Sequence, residues 1–177
     1  MKDRLEIVAS GFGGQGVVRL GQVLGEAAVE QGLHVTMLKS HGTEMRGGYV
    51  RSQLVISRNL IDSPMCENPD FFVALSSAAY NRFKDTVPDY GLILYDPAFV
   101  EEVDQSLACR QKKLPAKQLA MDNFGRAIFS NSIALGAIAN LLREDLESQT
   151  VLESILKIIP KFHAENKRAF EVGYNYM

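Results

Sequence analysis

Short apolar runs alternate along the chain with longer segments in which apolar residues recur every third or fourth position. The runs have the length of strands and the periodic segments that of helices, so the pattern predicts an α/β protein. Runs bounded by glycine, proline or polar turn residues predict strands over residues 5–10, 34–39, 49–57, 70–76 and 91–96, with a weaker strand over 107–114.

The first periodic segment predicts a helix over residues 17–31. Val17, Leu20 and Leu24 follow the helical rhythm, and Gly32 stands where a glycine commonly ends a helix. A strand, a glycine loop, a helix and a second strand in this order predict a βαβ unit that opens a parallel, right-handed sheet.

After Pro115 the chain is predicted to be helical to its end. The most apolar segment, 127–142, is too short and too polar to span a bilayer, so it predicts a buried helix. Thr150 and Glu153 have the spacing of a capping box at the start of a further helix, which Pro160 would end.

Composition and charge narrow the class of protein. The chain is interpreted as one domain over residues 1–177, with 46% hydrophobic residues and a net charge of −2, which gives no reason to expect nucleic acid as a partner. Cys66 and Cys109 are isolated, so they predict neither a disulfide framework nor a ligand run for an iron–sulfur cluster. No secretory signal and no bilayer span are recognisable, which predicts a cytoplasmic protein without membrane contact.

A glycine loop, Gly11-x-Gly13-x-x-Gly16, follows the first predicted strand. This spacing fits the dinucleotide fingerprint, in which backbone N–H groups at a helix N-terminus attract an anion. An NAD site also needs an acidic residue at the end of the second strand, but no Asp or Glu occurs between Glu30 and Glu44. Lys39 could serve an NADP site, less well than an arginine. The alternative is that the glycines permit tight packing of strand and helix.

A second unusual loop, TEMRGG, follows the second predicted strand. Glu44 and Arg46 stand beside paired glycines, and arginine suits bidentate contact with a carboxylate or phosphate. Both loops are predicted at the carboxyl edge of one sheet, where they would face a common crevice. The alternative is an ion pair that merely stabilises a surface turn.

The remaining polar residues form no recognisable catalytic constellation. His34, His41 and His163 are scattered without metal-ligand spacing, although His41 lies beside the second loop. Asn131 stands in an apolar helix, where its amide needs a partner, and is predicted to hold a neighbouring loop. The chain has no nucleophile elbow, zinc motif or Walker lysine.

Together the two loops resemble the gamma subunit of 2-oxoacid:ferredoxin oxidoreductases. The resemblance rests on GFGGQGVVRLGQVLGEAA, GTEMRGGYVRSQLVIS and PDFFVALS, and continues through LPAKQLAMDNFG, NSIALGAIANLL and NKRAFEVGY, nearly the whole chain. The family usually has a proline before the loop glutamate, where this chain has Thr43. On this resemblance, contact with a cofactor is predicted for the residues of both loops: Gly11, Gly13, Gly14, Gln15, Gly16, Thr43, Glu44, Arg46, Gly47 and Gly48.

The resemblance implies a Rossmann-like three-layer fold with a mostly parallel sheet and a helical C-terminal region. It also implies a subunit of an enzyme that decarboxylates a 2-oxoacid and passes electrons to ferredoxin. The glycine-loop sequence GFGGQGVV is most similar to the family members that act on 2-oxoglutarate. Thiamine diphosphate and iron–sulfur clusters are then expected on alpha, beta and ferredoxin-like delta partners, with CoA near the interface. This chain is expected to be inactive alone and, when isolated, to be able to form a homo-oligomer.

Two alternatives from other classes remain open. The first is a self-sufficient NAD(P)-binding Rossmann oxidoreductase, and the second is a nucleotide-sensing regulatory module. The missing acid after the second strand favours the subunit hypothesis, so a partner chain or CoA is expected near the glycines rather than NAD.

Overall fold

The computed structural model describes residues 2–41 and 49–177, and its strands match the predicted ones closely. The predicted strand at 107–114 is shorter than expected, and that at 34–39 extends to His41. The strands are β1 Arg4–Phe12, β2 His34–His41, β3 Tyr49–Ser57, β4 Phe71–Ala74, β5 Leu92–Tyr95 and β6 Arg110–Lys113.

Helices fill most of the remaining chain. They are α1 Val17–Glu30, α2 Ser77–Phe83, α3 Ala116–Phe124, α4 Ser130–Leu141, α5 Ser148–Ile158 and α6 His163–Tyr176, with 3₁₀ turns at Lys84–Thr86 and Ala127–Phe129. The predicted buried helix is therefore confirmed, although its first residues form a 3₁₀ turn. No helix in the described ranges is long and apolar enough to cross a membrane.

The described strands form one sheet in the order β2-β3-β1-β4-β5-β6. β1, β4, β5 and β6 are parallel neighbours, whereas β3 is antiparallel to both β1 and β2. All strands except β3 thus run in one direction, which confirms a mostly parallel α/β sheet. The predicted βαβ unit is wrong in one respect, because β3 separates β1 from β2.

The reason for this difference lies in pairing, which periodicity does not specify. β2 and β3 are consecutive and joined by a short polar segment, which suits an antiparallel pair. β3 then pairs along its whole length with β1, from Arg4 opposite Ser57 to Phe12 opposite Tyr49. The helix α1 therefore crosses over two strand positions instead of one.

Two cores lie on opposite faces of the sheet, as the alternation of strand side chains requires. Ile7 and Ala9 of β1 belong to the core shared with α1 and α3 to α6. Val8 belongs to the second core, where Tyr80 and Phe83 of α2 cover the sheet. This arrangement has the three layers expected of a Rossmann-like fold.

The helices α4 and α6 meet backbone to backbone. A Cβ added to Gly136 would lie 2.0 Å from the carbonyl oxygen of Phe170, and one added to Gly173 would lie 1.8 Å from that of Ile133. Both glycines are therefore required by close approach of two helices. The contact sets the position of α6 on the core.

The start of α5 corrects one prediction from the sequence. The helix begins at Ser148, with Glu147 as its N-cap residue and without a side-chain cap among the described residues. Thr150 therefore lies inside the first turn, and Glu153 accepts a hydrogen bond from the Gln149 amide instead of capping the backbone. The predicted N-cap, Thr150, lies three positions after the actual one, Glu147, because the spacing of a capping box also occurs within a helix. The predicted end before Pro160 is confirmed.

Candidate functional site

The glycine loop lies at the carboxyl end of β1 and leads directly into α1. Gly14 and Gly16 have φ angles of 89° and 73°, a region that residues with a Cβ rarely occupy. Gly16 is the N-cap residue of α1, and no described side chain caps this helix end. The N–H groups of the first turn are therefore left to solvent or to a ligand.

Gln15 ties the glycine loop to the neighbouring strand. Its Oε1 accepts a hydrogen bond from the backbone N–H of Phe12 at 2.6 Å, and its Nε2 donates to the carbonyl oxygen of Leu75 at 2.7 Å. A Cβ on Gly11 would lie 2.4 Å from that Oε1 and 2.7 Å from the Leu75 Cβ. Gly11 is thus required so that the Gln15 amide can bridge the ends of β1 and β4.

Asn131, at the start of α4, packs against the loop from the other side. A Cβ on Gly16 would lie 1.9 Å from the Asn131 Nδ2. Asn131 therefore contacts the glycine loop, and its predicted role in holding that loop through its amide stays a prediction. Two of the fingerprint glycines, Gly11 and Gly16, consequently make room for side chains of this chain.

Gly13 and Gly14 have open space instead. A Cβ added to either would meet nothing within 4 Å among the described atoms, and both are exposed. They line a groove of about 630 Å³ between the start of α1 and the start of α6. None of the described residues that line this groove is acidic, and the charged one among them is Arg19.

The walls of the groove are largely apolar away from the loop. Ile128 and Phe162 line it and are 55% and 41% exposed, respectively. Ser132 and Asn166 also line it, and the Ser132 hydroxyl donates to the Asn166 Oδ1 at 2.7 Å. Sequence reasoning missed this wall because α4 and α6 are far from the glycine loop along the chain and carry no binding motif.

Thr43, Glu44, Arg46, Gly47 and Gly48 lie outside the described residues. The strands that flank them end at the same edge as the glycine loop, because Phe12 pairs with Tyr49 and His41 pairs with Val50. Val50 also lines the groove. The cofactor contacts predicted for the second loop stay predictions.

A smaller cavity of about 340 Å³ lies on the other side of Gly14 and Gln15, beyond the carboxyl end of β5. Asp96 lines it and is 3% exposed. Its carboxylate accepts hydrogen bonds from the backbone N–H groups of Ala98 and Lys117, each at 2.9 Å. Asp96 therefore ties β5 to the start of α3, a structural role that its place after a buried strand could have suggested.

The cysteines do not suit an iron–sulfur cluster. Burial raises the pKa of the Cys66 thiol to about 12, and the thiol lies 3.5 Å from the carbonyl oxygen of Leu54. Burial also raises the pKa of Cys109. Cluster ligands are thiolates, usually four of them, and no group of three or more candidate metal ligands occurs among the described residues.

A family model described as pyruvate ferredoxin/flavodoxin oxidoreductase matches residues 6–176. The chain belongs to this family. Among curated relatives, the 2-oxoglutarate synthase subunit KorC of Methanocaldococcus jannaschii is 35% identical over 98% of this chain and 94% of its own length. The resemblance stated from the two loops is thereby confirmed.

Solved structures give the same assignment at the level of the fold. The gamma subunit of a keto/oxoacid ferredoxin oxidoreductase from Geobacter sulfurreducens superposes with a TM-score of 0.84 at 27% identity, covering 97% of this chain and 96% of its own. The 2-oxoglutarate:ferredoxin oxidoreductase of Magnetococcus marinus, with 2-oxoglutarate, coenzyme A and succinyl-CoA bound, gives 0.88 at 26% identity. That match covers 100% of this chain and 32% of the other, so this chain corresponds to one part of a larger polypeptide.

Proposed function

We propose that this chain is the gamma subunit of a cytoplasmic 2-oxoglutarate:ferredoxin oxidoreductase. That enzyme would convert 2-oxoglutarate, coenzyme A and oxidised ferredoxin into succinyl-CoA, carbon dioxide and reduced ferredoxin. The observation that carries the proposal is the similarity over nearly the full length to KorC and to a gamma subunit. The chemistry of decarboxylation and electron transfer would be supplied by thiamine diphosphate and iron–sulfur clusters on the partner subunits.

In this proposal the chain contributes a binding surface for coenzyme A. The groove beside Gly13 and Gly14 supports this role, because it is open, free of acidic side chains among its described lining, and bordered by Arg19. Coenzyme A carries several phosphate charges, which first-turn N–H groups and an arginine would stabilise. The open glycines would let the phosphates approach the backbone.

Arg46 is the residue of the second loop that we propose to contact either coenzyme A or a partner subunit. An arginine followed by two glycines contributes little to a core, and its guanidinium suits phosphates and carboxylates. Removing one partner of a buried interfacial charge pair commonly costs about 2–5 kcal/mol. Arg46→Ala should therefore impair the assembled enzyme while this chain still folds.

The test reconstitutes wild-type and Arg46→Ala chains with the alpha, beta and delta subunits and measures assembly, turnover and the KM for coenzyme A. Failure of the variant to assemble would assign Arg46 to docking, whereas normal assembly with a raised KM would assign it to coenzyme A. Arg58→Ala is a matched control, because Arg58 is exposed and follows the opposite end of β3. Wild-type assembly, turnover and KM, together with a much lower melting temperature, would show that Arg46 is structural.

A further inference from the structure

Strand β6 lies at one edge of the sheet and is strongly basic. Among the described strands it pairs with β5 alone, and three of its four residues, Arg110, Lys112 and Lys113, are cations. An edge strand presents unpaired backbone groups, to which a further strand can add. The charge of β6 therefore bears on which chain would pair with it.

The backbone groups on the open side of β6 belong to Gln111 and Lys113. The N–H groups of Arg110 and Leu114 donate toward β5 at 3.1 and 2.8 Å. Because successive residues of a strand alternate in direction, the N–H and C=O groups of Gln111 and Lys113 point away from β5. No backbone hydrogen bond to these groups occurs among the described residues.

Arg110 and Lys112 occupy positions that are apolar on the neighbouring strand. In the register of the sheet they lie beside Leu92 and Leu94, which belong to the buried core. Both cations line a cavity of about 440 Å³ near the amino ends of the parallel strands, and neither forms an ion pair with a carboxylate in the described ranges. Lys113 is exposed and points to the opposite face. Strand β6 thus has cations on both faces of the sheet.

The acidic residues of this cavity do not neutralise the strand. Asp70 pairs with the Lys2 ammonium at 2.6 Å and accepts a hydrogen bond from a backbone N–H of β1 at 2.9 Å. Asp145 accepts a hydrogen bond from the Lys2 backbone N–H at 3.1 Å. Glu144 lines the cavity from an exposed position after α4, next to Arg143. The positive charge of β6 is therefore available to an acidic group from outside this chain.

We propose that β6 is the docking edge for an extended, acidic segment of a partner subunit. This inference rests on the proposed function, which supplies the partner subunits. The segment would add a strand to the sheet through the backbone groups of Gln111 and Lys113, and its carboxylates would pair with the cations on both faces. Tyr90 lines the same cavity and is 61% exposed, and tyrosine is enriched at protein interfaces.

The charge of β6 selects an acidic partner over a second copy of this chain. Two copies joined at this edge would bring Arg110, Lys112 and Lys113 of one strand against the same cations of the other, and like charges on facing strands destabilise the pair. Lysine on an edge strand also deters pairing with neutral strands. An acidic strand turns the same charges into attraction, so the cations provide specificity as well as affinity.

The test reconstitutes this chain with its partner subunits and treats the complex with a carbodiimide, which joins a lysine amine to a carboxylate in direct contact. We expect a cross-link from Lys112 or Lys113 to an acidic segment of a partner subunit. Hydrogen exchange over residues 110–113 should slow on assembly, because the Gln111 and Lys113 amides gain hydrogen bonds. Unchanged exchange, or cross-links only between two copies of this chain, would overturn the proposal.

Charge reversal measures the contribution of the cations. Lys112→Glu/Lys113→Glu should raise the dissociation constant of this chain for its partners by about ten-fold or more, and the difference should shrink at high salt. Lys112→Arg/Lys113→Arg keeps the charge and should assemble as the wild type does. Arg58→Glu/Lys167→Glu makes the same change of net charge at two exposed positions elsewhere and is the matched control. If the reversed strand assembled normally and the isolated variant self-associated, the cations would merely protect the edge and the proposal would be wrong.

Failure of the proposed function would look different from failure of the docking edge. A wild-type complex that neither assembles nor oxidises 2-oxoglutarate would overturn the proposed function and the docking edge with it. A wild-type complex that turns over with unchanged exchange in β6 would overturn the docking edge alone. The exchange and cross-linking measurements use the wild-type chain, so they decide the question even if the charge-reversed variant fails to fold.

Discussion

Replacing Gly173 with alanine tests the contact that positions α6 and hence one wall of the groove. The added Cβ would lie 1.8 Å from the Ile133 carbonyl oxygen and 2.6 Å from its carbon. Both are backbone atoms of α4, so no side-chain rotation relieves the clash. The helices have to separate instead.

The size of the effect follows from that distance. Ordinary contact begins near 3.4 Å, so α6 has to move by the difference of about 1.6 Å, and overpacking of this kind typically costs about 1–3 kcal/mol. Alanine regains up to about 1 kcal/mol through its higher helix propensity. Because the obstacle is rigid backbone, we expect a net loss of about 2 kcal/mol, or about 4–8 °C in melting temperature for a domain of this size.

Urea unfolding followed by circular dichroism measures this loss, with Gly25→Ala as the matched control. Gly25 is also buried in a helix, but a Cβ there would meet the ends of the Leu54 and Val35 side chains at 3.3 and 3.4 Å. These side chains can shift, so the control should change stability by less than about 1 kcal/mol. If Gly173→Ala were as stable as Gly25→Ala, the account of the α4–α6 contact would be wrong.

Two further predictions concern the loop anchor and a buried thiol. Gln15→Leu should lower the free energy of unfolding by about 1–3 kcal/mol, because the Leu75 carbonyl and the Phe12 N–H lose their hydrogen-bond partner. Urea unfolding measures this loss, and an unchanged urea midpoint would contradict the bridging role of Gln15. Because burial raises the pKa of Cys66 to about 12, its contribution to stability is fully present below the unfolded thiol pKa near 8.5 and is lost as the pH rises toward 12. The unfolding midpoint should therefore fall from about pH 9 upward, and a Cys66→Ala variant with an equally steep fall would refute this cause.

Much of the fold could be predicted from local patterns, because each strand is a short apolar run between turn residues. The antiparallel insertion of β3 could not, since pairing depends on register between strands distant in sequence. Likewise, nothing in the sequence around Phe162 indicates the left-handed backbone that this residue adopts, with φ at 59°. That conformation depends on Asn166 and Ser132, which tertiary packing brings together.

In the candidate site, too, local sequence patterns predicted some features and tertiary packing decided others. The glycine spacing predicted a loop between strand and helix, which the structure contains. It could not tell which glycines serve internal contacts, because the neighbours of Gly11 and Gly16 are Leu75 and Asn131, far along the chain. The open positions, Gly13 and Gly14, became identifiable only once those neighbours were placed.

The glycine fingerprint also makes a prediction about NADH, which we expect to bind no better than about millimolar. In a dinucleotide site an acid at the end of the second strand holds the ribose, but here β2 ends with Lys39, Ser40 and His41, and β3 lies between β1 and β2. The Gln15 amide, moreover, already bridges the ends of β1 and β4. The loss of a polar contact such as that between the acid and the ribose typically costs about 1–3 kcal/mol of binding free energy, or about five- to 140-fold in affinity. Calorimetric titration with NADH and NADPH measures it, and Lys39→Asp separates the causes: a missing acid alone would be restored by this change, whereas the displaced strand predicts no gain. A micromolar dissociation constant for the wild type would support the dehydrogenase hypothesis, because the glycine loop would then bind a dinucleotide although β3 lies between β1 and β2.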